Sequence, residues 1–229
     1  MNKIKIILLS VFLSVSYSMN SEVLEIYTWK AKEGELDKML SAFVEAREIH
    51  ESEGAVVVSI EQTDMGGTGE YQYTMRWDDQ MQWGAYKDMI GNSPKWQEFW
   101  TKWSKNPAAE LVATVSGGSM DDSKAEDYRD PYVWAAYEWK PAPGRTSEML
   151  ARMSQSKSII EKTGAKVTIY AEGVGGTNDY HFVMFYDTWT DMAKSFTNLS
   201  TSEEWQSFNA SNDPTMSTLI STNSGQKIN

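Results

Sequence analysis

The side chains able to do chemistry in this chain are few. It has no cysteine and two histidines, His50 and His181. Thiolate metal sites, iron–sulfur clusters, disulfides and cysteine nucleophiles are therefore excluded, and a three-histidine zinc site lacks its ligands. No Ser–His–Asp arrangement, dinucleotide fingerprint or metal-ligand spacing is readable, so no cofactor is expected; a single axial histidine for a haem is the one arrangement left open. Glu25 lies in line with Tyr27 and Trp29 on a strand-like segment. A carboxylate among aromatic rings has its pKa raised and can act as a base or accept a ligand's hydrogen bond. The plainer alternative is a strand end near solvent. Gly66-Gly67-Thr68-Gly69 and Gly175-Gly176-Thr177-Asn178 resemble phosphate loops in composition, but each precedes a strand rather than a helix. They read as hairpin turns.

The elements that must position these groups follow from hydrophobic periodicity. Residues 23–30 (VLEIYTWK) form a strand pattern. Leu36, Met39, Leu40 and Phe43 recur at helical spacing, and Gly54 ends that helix. Residues 55–60 and 71–77 read as a hairpin across the first glycine turn, 79–90 and 94–105 as helices, and 111–115 as a last strand. The same order returns after an offset of 110 residues, slipping to 109. Tyr27, Trp29, Gly34, Met39 and Gly54 meet Tyr137, Trp139, Gly144, Met149 and Gly164; later Tyr71, Trp96 and Phe99 meet Tyr180, Trp205 and Phe208. The chain thus reads as a tandem duplication of a βαββαβ unit, the split βαβ arrangement of ferredoxin-like folds. Its expected divisions are a first repeat over 21–118, a polar, acidic linker over 119–131 and a second repeat over 132–225.

A four-stranded sheet with helices on one face leaves the other uncovered, and two repeats can cover each other sheet to sheet. On residues 180–186, His181, Val183 and Phe185 share one face; the first repeat has Gln72, Thr74 and Arg76 there. If that face looks between the sheets, His181, Gln72 and Arg76 meet in one partly polar cavity. His181 is then the group titrating near neutral pH. Tyr27, Trp29, Tyr137 and Trp139 are expected to line the inter-sheet space, with His181, Arg76 and Glu25 orienting a ligand or moving a proton. His50 continues the stripe of Leu36, Leu40 and Phe43 and has Ile160 as its counterpart, so it reads as a packed histidine. Trp96, Trp100 and Trp103 form a helical stripe expected to pack on the sheet.

Residues 1–18 (MNKIKIILLSVFLSVSYS) combine two lysines, an apolar stretch shorter than a membrane span and small residues at the expected cleavage positions. They read as an export signal, placing the protein in a periplasm or outside the cell. No later segment is apolar enough to span a bilayer. The formal net charge of −11 lacks the basic footprint of a nucleic-acid binder.

The opening EIYTWKAKEGELDKML is similar to the start of NIPSNAP-type domains. The segment FYDTWTDMAKSFTNLSTSEEWQSF (185–208), echoed by SPKWQEF (93–99), resembles the corresponding stretch of antibiotic-biosynthesis-monooxygenase-like domains. Together they resemble the dimeric α/β-barrel superfamily over nearly the whole chain after residue 20. The resemblance implies an α+β fold of two ferredoxin-like repeats closed on one another as an intramolecular dimeric α/β barrel. For function it leaves two expectations open. One is a small-molecule-binding or assembly module, monomeric or homo-oligomeric. The other is a cofactor-free monooxygenase or isomerase-like enzyme acting on a small aromatic or apolar compound between the sheets.

Overall fold

In a computed structural model that describes residues 21–228, the first half runs β1 (Val23–Ala31), α1 (Leu36–Ser52), β2 (Val57–Met65), β3 (Glu70–Trp77), α2 (Gln80–Ile90), α3 (Pro94–Ser104) and β4 (Ala109–Ser119). The second half repeats that order: β5 (Val133–Pro141), α4 (Thr146–Ile160), β6 (Lys166–Glu172), β7 (Tyr180–Tyr186), α5 (Trp189–Thr201), α6 (Glu203–Ala210) and β8 (Ser217–Ile228). The export signal expected at residues 1–18 lies outside the described residues. Among those described, no helix is long and apolar enough to cross a membrane.

All strand pairs are antiparallel, and the sheet closes in the order β1-β3-β2-β8-β5-β7-β6-β4. The two half-sheets therefore face each other across a barrel and are hydrogen-bonded along two seams, β2 with β8 and β4 with β6. Strand β4 outruns the expected segment, which stopped at residue 115, and β8 likewise runs on past residue 221 to Ile228. Their continuations, SGGS and TNSGQKI, carry no apolar alternation, so their pairing comes from tertiary closure. Glycine marks the seams for steric reasons. A Cβ on Gly117 would lie 2.9 Å from the Ala171 carbonyl oxygen, and one on Gly225 would strike the Gln62 carbonyl oxygen.

Each strand divides its side chains between barrel interior and helix layer. Val23, Glu25, Tyr27 and Trp29 face the helices; Leu24, Ile26 and Thr28 face inward. The expectation that Tyr27, Trp29, Tyr137 and Trp139 line the inter-sheet space is thereby corrected. All four pack against the helices of their own halves, where Trp29 meets Phe43 at 6.0 Å and Trp103 at 6.5 Å between ring centres. An eight-stranded barrel has an interior that side chains just fill, and here Leu24, Trp134, Tyr170 and Phe185 fill it. The segment 119–131 joins the halves and also packs on the barrel. Its 3-10 turn, Ala125–Tyr128, buries Tyr128 in the interior cluster with Leu24, Trp134 and Phe185, and the Tyr128 hydroxyl bonds Thr168 at 2.7 Å.

Candidate functional site

Among the described residues, the barrel interior and one sheet–helix cavity in each half could hold a ligand. His181, Gln72 and Arg76 do project together into the interior, whose free volume is about 170 Å³. Arg76 and His181 each have a carboxylate partner there. Arg76, fully enclosed, bonds Glu22 and, at 3.1 Å, the Tyr170 hydroxyl, while its guanidinium stacks 4.1 Å over Tyr128. Glu22 also accepts from Ser123 and Tyr170 at 3.2 Å. Burial pushes the Glu22 carboxyl up, against the pull of Arg76. His181 Nε2 meets Glu172 Oε1 at 2.9 Å. That hydrogen bond and the amides of Thr177 and Asp179 bring the Glu172 carboxyl down to about 2.

Glu25 lies on the opposite face of the sheet, which separates it from His181 and Arg76. The reason is the alternation of β1: Glu25 shares its face with Tyr27 and Trp29. There it accepts hydrogen bonds from Tyr27 Oη at 2.9 Å, Trp83 Nε1 at 2.8 Å and Lys87 Nζ at 2.9 and 3.1 Å. Beside this group, Tyr86 is hydrogen-bonded to His50 Nδ1. The His50 ring lies 4.4 Å from Trp96 and 5.8 Å from Tyr73. Burial lowers the His50 pKa to about 4; the Glu25 carboxylate pushes it up and Lys87 pushes it down. The imidazole is therefore neutral near pH 7. Burial raises the Tyr27 and Tyr86 phenols, so both stay protonated. When Tyr86 donates to Nδ1, the imidazole proton resides on Nε2, which has no protein partner among the described residues.

Tyr27, His50, Tyr86 and Lys87 of this group border a cavity of about 230 Å³ between β1, β3 and α1–α3. One wall is polar, from Tyr27, His50, Tyr86 and Lys87; the other is aromatic, from Trp29, Phe43, Trp96, Phe99, Trp100 and Trp103. The helices are placed by their own caps. Asp79 accepts from the Gln82 amide at the start of α2, and Ser93 accepts from the Trp96 amide at the start of α3, with Pro94 in the first turn.

The sequence offset identifies what is particular to this half. Glu25, His50, Trp83, Tyr86 and Lys87 correspond to Ala135, Ile160, Met192, Ser195 and Phe196. Three of them, His50, Tyr86 and Lys87, line the cavity and were missed as site residues because each fits an amphipathic helix. The usable signal was their simultaneous divergence between halves. The second half has a cleft of about 430 Å³ against Tyr137 and Trp139, but without this polar set.

No protein-family model and no curated protein matches the sequence. Solved structures do match in fold. A candidate monooxygenase from Fusobacterium nucleatum aligns at a TM-score of 0.61 and 10% identity, over 91% of this chain and 93% of that one. A candidate chlorite dismutase aligns at 0.56 and 11%, over 92% and 96%. A heme-binding protein from Thermus thermophilus aligns at 0.50 and 9%, over 92% of each. At these identities the similarity is one of fold, and it extends along nearly all of the chain: this is a dimeric α/β barrel built from a single polypeptide.

Proposed function

We propose that the protein binds a small planar aromatic compound bearing a hydroxyl or carbonyl group, in the sheet–helix cavity of the first half. The observation that carries this reading is the polar set of Glu25, His50, Tyr86 and Lys87 beside a wall of tryptophans, present in one half and replaced by apolar or small residues in the other. The tryptophans supply ring stacking, and the neutral His50–Tyr86 pair offers a hydrogen bond to an oxygen. At about 230 Å³ the space is below the roughly 300–1,000 Å³ of pockets for drug-sized ligands, so one or two rings is the appropriate size.

The test is calorimetric titration with 1-naphthol and naphthalene. One net hydrogen bond should make naphthol about three- to tenfold tighter. Equal affinities, or no binding of either, would refute the reading.

A second reading, turnover of such a compound without a cofactor, is favoured by one feature. With Tyr86 turned away, the Nδ1 lone pair of the neutral imidazole is freed to accept a proton, from a hydroxyl or carbon acidic enough for a base whose pKa is about 4. Dioxygen uptake or isomerisation that disappears in His50→Gln while naphthol still binds would establish it; absence of both reactions across a panel of phenols and anthrones would refute it.

The residues present do not fit a haem. His50 is bonded at Nδ1 and packed against Trp96, and the spaces beside His50 and His181 are about 230 and 170 Å³. The larger cavity of the second half is lined by no histidine, and burial raises its Tyr137 phenol, away from the phenolate that an iron would take.

A further inference from the structure

The cavity of the second half, bounded by β5, β7 and α4–α6, has its polarity arranged differently from the first. Its apolar walls mix four methionines, Met149, Met153, Met184 and Met216, with Ile160, Leu199 and six aromatic rings. Polar side chains enter instead at Arg152, Asn209 and Asn212, where the same offsets in the first half give Ala42, Trp100 and Trp103. Arg152 is half-buried. Its guanidinium lies 3.5 Å over the Phe208 ring and donates to the Phe208 carbonyl oxygen and, at 3.0 Å, to Ser211 Oγ. Both acceptors are neutral. Arg76, Arg129 and Arg145 each contact a carboxylate, whereas among the described residues none lies within ion-pair distance of Arg152. In a chain of net charge −11, a guanidinium without a carboxylate beside an apolar cavity is complementary to an anion.

We propose that this cavity binds an aliphatic monocarboxylate, its chain among the methionines and its carboxylate on Arg152. Unbranched, polarizable thioethers adapt to a flexible chain, and this cavity has four of them where the first has Met75 alone. The planar guanidinium fork matches a carboxylate in two hydrogen bonds. The volume of about 430 Å³ is within the range of ligand-binding clefts and cavities. This site is separate from the aromatic cavity of the first half and does not depend on it.

The experiment titrates the full-length protein with decanoate and with 1-decanol, by calorimetry, at low and high salt. Decanoate should bind, and Arg152→Gln should weaken it about tenfold or more, as expected for loss of a charge-assisted contact. Raising the salt should weaken decanoate and leave decanol unchanged. Adding 1-naphthol should not displace decanoate. The proposal is overturned if decanoate fails to bind, if neither Arg152→Gln nor salt changes its affinity, or if naphthol competes with it and Arg152→Gln leaves its affinity unchanged, which would place both in the first cavity. Competition together with a loss in Arg152→Gln would instead place naphthol in the second cavity and count against the aromatic site of the first half.

Discussion

Acidification should reveal His50 before any ligand is known. In the unfolded chain a histidine titrates near 6.5, and in the fold burial lowers His50 to about 4. A group whose folded pKa is depressed contributes stability that is complete above 6.5 and is lost as pH falls through the folded value. Between pH 7.5 and 4 the unfolded chain takes up a proton that the folded chain largely refuses. The interval from 6.5 to about 4 corresponds to about 3 kcal/mol. Carboxylates such as Glu172 also titrate toward acid, so the informative quantity is a difference between proteins. Urea denaturation of wild type and His50→Gln at pH 7.5 and 4 supplies it. The substituted side chain carries no charge at either pH, so wild type should lose about 3 kcal/mol more than the variant. A wild-type-to-variant difference that stays within about 1 kcal/mol across that range would refute the burial argument for His50.

Two further outcomes test the barrel. Arg76→Leu leaves the Glu22 carboxylate enclosed without its cation and should cost about 3–5 kcal/mol by urea denaturation, much of it recovered in Glu22→Leu/Arg76→Leu; a single-variant loss under about 1 kcal/mol would contradict a buried pair. Gly225→Ala drives a Cβ into the Gln62 carbonyl and to 2.7 Å from the Trp134 ring, so the seam should weaken by about 1–3 kcal/mol, read as a lower Tm; an unchanged Tm would mean the strands can separate without cost.

The barrel's element order was legible because each segment keeps one period. The stripe of Leu36, Leu40 and Phe43 lies on α1, and the alternation of residues 71–77 lies on β3. Alternation also placed His181, Gln72 and Arg76 on one face. It is silent on which face of a sheet meets its partner, and that choice moved Glu25, Tyr27 and Trp29 from the inter-sheet space to the helix side. The seam tails were not legible, since Gly117 and Gly225 are selected by the approach of a distant strand. The His50–Tyr86 bond joins residues 36 apart on two helices. Each residue alone looks like an ordinary core position, and only tertiary packing makes them a pair.

Everything proposed for the first half depends on its sheet–helix cavity being the aromatic binding site. A crystal structure of the complex with 1-naphthol tests it most directly. The ring system should lie beside Trp29 and Trp96, with its oxygen within hydrogen-bond reach of His50 or Tyr86. Naphthol found in the barrel interior beside His181, or only among the methionines of the second half, would contradict it.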